Sequence, residues 1–188
     1  RRQTRPPTHP GDLSQLPRRV MIRPTRPKPT IKFPRRTVHT RPFQLSESER
    51  ALYDGVTEFV RDRHLDSDRA QFLKWHFVSM VLQKEIGSST PAAHHTLVRA
   101  RQDIRYRAHW DALNHLCELG EAVDRHAKLD GLLEVLTGVP DKAIVFTQFK
   151  STMEFLSQRL REAGYSTVTF HGGMSSSDKE AAIREFRG

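Results

Sequence analysis

The chain has 188 residues, with 31 basic side chains against 22 acidic ones and a formal charge of +9. Its single cysteine, Cys117, excludes a disulfide framework and a CxxC zinc site, which fits a reducing, cytosolic compartment. No apolar run approaches the roughly 20 residues that span a bilayer, and none reads as a signal peptide, so no membrane partner is expected.

The charge is unevenly placed. Residues 1–41 hold ten arginines and two lysines against one aspartate, a net +11, whereas residues 42–188 hold nineteen basic and twenty-one acidic side chains, a net −2. The first stretch is also rich in proline, from Pro6 to Pro34, and poor in core-forming residues. It reads as an extended arm, with one short strand possible around Ile31, Phe33 and Val38. Its arginines, Arg18, Arg19, Arg35 and Arg36 among them, suit nonspecific attraction to nucleic-acid phosphates. They suit a solvated connector as well.

Residues 42–125 read as helical. Ser46 or Ser48 ahead of Glu49 is a capping signal, and Leu52, Val56, Phe59 and Val60 follow at helical spacing. Phe72, Trp75, Val78, Met80, Val81 and Leu82 supply a second apolar stripe. Ser88, Ser89, Thr90 and Pro91 mark a break and a new helix start, with proline tolerated in a first turn. Trp110, Leu113, Leu116 and Cys117 predict a further amphipathic helix, and the aromatic side chains Phe72, Trp75 and Trp110 are expected in the core. No HExxH pair occurs. His94 and His95 are adjacent and diverge by about 100° on a helix, so they do not form a metal pair.

Residues 126–188 alternate in type. Leu129, Leu132, Leu133 and Leu136 form a helical stripe. Ala143 to Phe146 is a continuous apolar run that suits a strand covered on both faces. Phe149, Met153, Leu156, Leu160 and Ala163 predict a helix over 150–163, closed by Gly164 in a left-handed cap. Tyr165 to Phe170 favours a second strand, parallel to the first and beside it. One of Ser175, Ser176 and Ser177 caps a last helix, whose buried face is Ala182, Ile183 and Phe186. The predicted class is α/β: a helical middle segment followed by an incomplete parallel-sheet lobe. In open α/β sheets ligands bind beyond the carboxyl ends of the strands. Thr147, Gln148 and Lys150 stand at the first such end, and His171 and Gly172 at the second. Hydroxyl, amide and ammonium groups bond phosphate oxygens, and glycine permits close backbone approach. Every βα loop carries some polar residues, so these also fit ordinary loops.

The motifs extend that reading. KAIVFTQF resembles motif IV of the superfamily-two helicases, and HGGMSSSDKEAAIREF resembles the segment that follows it. AKLDGLLEVL resembles the helix that opens the second motor lobe of Swi/Snf-type ATPases. RPFQLSESERALYDGVTEFVR at 41–61 resembles a segment near the junction between lobes, and FVSMVLQKEIGSSTPAAHHTL at 77–97 resembles an element of bacterial members. PRRVMIRPTR at 17–26 resembles a divergent stretch ahead of them. The resemblance implies a RecA-like C-terminal lobe begun at 126–188, a helical inter-lobe region at 42–125, and an arm or connector at 1–41. It implies a parent protein that hydrolyses ATP with magnesium and moves along double-stranded DNA, in the cytoplasm and on the nucleoid if bacterial. Positions matching motif IV and the following segment, Thr147, Gln148, Lys150, His171 and Gly172, are then expected on the DNA backbone.

The departures matter equally. The chain has no GxxxxGK[ST] loop and no DEAH-like acidic box, and motifs V and VI, with their arginine finger, are expected after Gly188. Arg1 is not an initiating methionine. The simplest expectation is a fragment that binds neither ATP nor magnesium alone and needs the other ATPase lobe of the same chain as its partner. The alternative is a catalytically empty module that binds protein or nucleic acid through a helical scaffold and a RecA-like half-lobe.

Overall fold

The computed structural model describes residues 37–65 and 69–188, and the side chains of these apart from 63–77. Arg18, Arg19, Arg35 and Arg36, with Ile31 and Phe33, lie outside the described residues. Residues 42–188 pack as one compact unit.

The first helix, α1 (Glu47–Leu65), starts where the sequence signalled. Ser46 is its cap. The Glu49 amide donates to Ser46 Oγ at 3.2 Å, and the Ser46 amide donates to Glu49 Oε2 at 3.0 Å. This reciprocal pair satisfies two amides that the first turn leaves without carbonyl partners. Helices α2 (Arg69–Ser88), α3 (Thr90–Gln102) and α4 (Trp110–Glu121) follow, with a 3-10 turn at Ile104–His109 between α3 and α4. Ser89 caps α3 by accepting the Ala92 amide at 3.3 Å, and proline sits in the first turn.

Each helix packs on the next, and α4 closes the ring on α1. Their shared core is Leu52, Val56, Phe59 and Val60 from α1, Leu82 from α2, Leu97 and Ala100 from α3, and Leu113, Leu116 and Cys117 from α4. Burying each large aliphatic side chain contributes about 1.5–3 kcal/mol, so this stripe-on-stripe contact holds the ring. Trp110 departs from expectation: it is 53% exposed. It opens α4 directly from the 3-10 turn, so its position follows that turn rather than the apolar stripe of α4. The side chains of Phe72 and Trp75 lie outside the described set.

Three helices follow: α5 (Ala127–Thr137), α6 (Lys150–Glu162) and α7 (Ser176–Arg187). The helix expected over 150–163 is thus present. Gly164 has φ +90°, and the Tyr165 amide reaches the Leu160 carbonyl at 2.9 Å while the Gly164 amide reaches Arg161 at 2.9 Å. That pair of bonds is a Schellman cap, and it requires the left-handed residue that glycine supplies. Ser175 caps α7, accepting the Asp178 amide at 3.2 Å. Gly131 on α5 admits the Phe43 ring, which a Cβ there would strike.

The two predicted strands, 142–147 and 165–170, flank α6 as non-helical segments. Among the described residues no backbone hydrogen bond joins them, and no strand is formed. Both line a cavity of about 450 Å³ whose apolar walls include Val145, Leu160, Val168 and Phe186. Apolar character favours a strand, but a strand needs a ladder, and among the described residues neither segment has a hydrogen-bonded neighbour. Ile144, Phe146 and Phe170 are accordingly 67%, 91% and 56% exposed. The described part of the chain is helical.

Candidate nucleic-acid interface

A second cavity, of about 970 Å³, is lined by the same segments. Its lining brings together Thr147, Gln148, Lys150, His171 and Gly172, with Arg187 of α7. Residues 24 positions apart in sequence thus share one wall, because α6 returns the chain alongside itself.

Gln148 and Lys150 are exposed. Lys150 sits at the start of α6, and its Nζ is 3.3 Å from Glu154 Oε1 one turn on. Such an exposed pair is worth no more than about 1 kcal/mol and yields readily to a stronger anion. Thr147 is half-buried, and its Oγ1 is buried with no hydrogen-bond partner. His171 Nδ1 accepts the Gly173 amide at 3.2 Å, so the proton of the neutral ring resides on Nε2, which remains a donor. The Gly172 carbonyl accepts from Lys179 Nζ at 3.4 Å. A Cβ at Gly172 would meet nothing within 4 Å, so packing does not demand glycine there.

A third cavity, of about 290 Å³, was not foreseen as a site from the sequence. It lies between the four-helix ring and α6, and Thr147 and Gln148 line it too. Thr152 is 4% exposed, and its hydroxyl meets Ser89 Oγ at 2.8 Å and Ser88 Oγ at 3.1 Å. His126 faces Phe155 edge-on with ring centroids 4.7 Å apart. Burial pushes the His126 imidazole below its usual pKa, against the opposing pull of Glu49. Glu49 Oε2 also accepts the Ala127 amide at 3.1 Å, and Lys128 Nζ donates to the Gly87 carbonyl. The Ser88–Ser89 signal was legible as a helix break. Its partner Thr152 was not, because the two are 63 residues apart.

Among the described residues no group of three His, Cys, Asp or Glu side chains is placed to hold a metal. What the wall of Gln148, Lys150 and His171 offers is donors, an arrangement suited to anionic oxygens. Among the described residues no helix is long and apolar enough to cross a membrane.

Residues 126–188 match the helicase conserved C-terminal domain. Across 94% of its length the chain is 30% identical to the ATP-dependent helicase YqhH of Bacillus subtilis and covers 31% of that protein. Over 35% of its length it is 35% identical to the ATP-dependent RNA helicase vasa of Drosophila melanogaster, covering 10% of it. Over 26% of its length it is 42% identical to the RNA helicase CrhR of Synechocystis, again covering 10%. The chain therefore spans about a third of the first relative and about a tenth of the other two. No solved structure matches it. The chain is thus similar to helicases, and residues 126–188 are the part that matches their C-terminal domain.

Proposed function

We propose that the chain is part of a DNA-dependent ATPase of Swi/Snf type that moves along duplex DNA. In this reading residues 126–188 begin a RecA-like lobe whose parallel sheet includes 142–147 and 165–170. Residues 42–125 form the inter-lobe scaffold, and residues 1–41 a basic arm or connector. The observation that carries the reading is the shared cavity wall, where Thr147, Gln148, Lys150, His171 and Gly172 stand together at the ends of two apolar segments. The match of 126–188 to a helicase domain and the similarity to an ATP-dependent helicase along 94% of the chain support it. ATP and magnesium belong in this reading to the whole motor and the other ATPase lobe, and no step of nucleotide chemistry rests on the residues described above.

The wall's task is to hold a backbone. A translocating motor needs contacts that every sequence offers, so phosphates rather than base edges are its targets. Gln148 and Lys150 supply exposed donors, and His171 Nε2–H supplies a third.

The test is made in the full-length protein. Gln148→Ala with Lys150→Ala should weaken binding to several unrelated duplexes alike and lower DNA-stimulated ATPase activity. Nucleotide affinity without DNA should be unchanged. A loss confined to one sequence, or to ATP, would place the DNA elsewhere. Binding of duplex RNA in preference to DNA would favour instead the activity named in the RNA helicase relatives.

A further inference from the structure

We propose a second nucleic-acid surface, distinct from the α6 wall, on the 3-10 turn between α3 and α4, where it binds an unpaired polynucleotide strand. Ile104, Arg107 and Trp110 recur at every third residue along this turn. A 3-10 helix has three residues per turn, so Ile104 and Arg107 form one row, and Trp110, whose amide donates to the Arg107 carbonyl, follows one turn on. All three are exposed: Ile104 by 77% and Trp110 by 53%, with Arg107 between them. Tryptophan is highly buried on average, and here one faces solvent beside cations.

The charge around this row is mainly positive. Residues 99–111 contain Arg99, Arg101, Arg105 and Arg107 against two acids, Asp103 and Asp111. Asp103 is already taken. The Arg105 amide and its Nε donate to Asp103 Oδ1 at 2.9 Å each, and the guanidinium lies 5.7 Å over the Tyr106 ring. Arg99, Arg101 and Arg107 have no ion-pair partner among the described residues. A cationic patch therefore sits on a unit, residues 42–188, that is net acidic.

The occupant follows from this chemistry. An acidic peptide would satisfy the arginines but leave Trp110 unmatched, and an apolar partner would do the reverse. Each nucleotide of a polynucleotide carries one phosphate and one aromatic face. Bases stacked in a duplex present edges, not faces, so the matching form is an unpaired strand, its base stacked on Trp110 and its phosphates on Arg107 and its neighbours. The row Ile104–Arg107–Trp110 offers no acceptor to a ribose hydroxyl, so the sugar is not read. This surface does not rest on the translocase reading, and Gln148→Ala with Lys150→Ala should leave it intact.

The chain has two tryptophans, Trp75 and Trp110, and none in the basic arm. In a Trp75→Phe background, emission therefore reports on Trp110 alone. Oligo-dT and oligo-U should quench it to similar extents, and duplex DNA of equal length much less. Trp110→Ala should weaken oligo-dT binding about 5- to 100-fold, measured by anisotropy of a labelled oligomer, and Trp110→Phe should retain most of the affinity. Arg107→Ala should reduce the salt slope of that binding by about 0.7. Unaltered helical circular dichroism in each variant separates these effects from unfolding. Equal quenching by duplex or by polyglutamate, a tenfold preference for either sugar, or unchanged affinity in Trp110→Ala would overturn the proposal.

Discussion

Glu49 shows how much one side chain can organise. It is 6% exposed, and its Oε2 accepts both the Ser46 amide that opens α1 and the Ala127 amide that opens α5. Glu49→Ala strands both donors and should destabilise the chain by about 2–3 kcal/mol in urea unfolding, whereas Glu49→Gln keeps an acceptor and should lose less. The Ser46–Glu49 half of this was legible, because a capping box is a local spacing. The Ala127 half was not, since nothing local marks a partner 78 residues away. Glu85 makes a second case at this scale. It is 7% exposed, its Oε2 lacks a partner, and burial raises its carboxyl pKa against the Thr96 hydroxyl and the charge of His95. The folded chain thus holds this proton more tightly than the unfolded one. Its contribution to stability is complete below the ordinary carboxylate pKa and is lost as pH rises through the raised folded value. Glu85→Gln should therefore raise the melting temperature at neutral pH, with the gain disappearing as melts are taken down through the carboxylate range. A gain constant with pH would mean that ionisation is not its origin.

At the scale of elements, helix periodicity carried well and strand character did not. The stripes of α1, α4 and α6, the Ser89 and Ser175 caps and the Gly164 terminus all follow from spacing, because a helix closes its own hydrogen bonds. A strand depends on a neighbour, and the runs 143–146 and 168–170 cannot reveal whether one is present. Trp110 was misread for a related reason: its spacing to Leu113 and Cys117 fits a stripe, but the 3-10 turn before it sets its direction. The α3–α6 contact was equally hidden, since Thr152 meets Ser88 and Ser89 through hydroxyls that carry no periodic signature. Thr152→Val preserves volume and removes both bonds from a buried site. It should lower stability by about 1–3 kcal/mol and increase hydrogen exchange at the start of α6, while the ring's own amides keep their protection. Equal loosening of α1 and α4 would show that the hydroxyls support the whole unit instead.

For the molecule as a whole, the sequence separates what this chain contributes from what it does not carry. It has no phosphate-cradling loop, no DEAH-like box and no arginine finger motif, which supply the electrostatic stabilisation that phosphoryl transfer requires. The purified 188-residue chain should show no DNA-stimulated ATP hydrolysis above background, and turnover that copurifies with it through successive columns would contradict this. The candidate wall was legible as two polar segment ends, but its assembly around one cavity required the return path of α6. The closed ring has a further consequence, in time rather than space. Among the described residues its buried core ends at Cys117, with Leu119 and Val123 packed against it. A ribosome adds about 5–20 residues per second, so the roughly 30 residues between the end of α4 and Thr152 give the nascent chain a few seconds to complete the ring first. Ser89 is then already in place when Thr152 emerges, and the later segment docks against a finished surface instead of competing for a forming one.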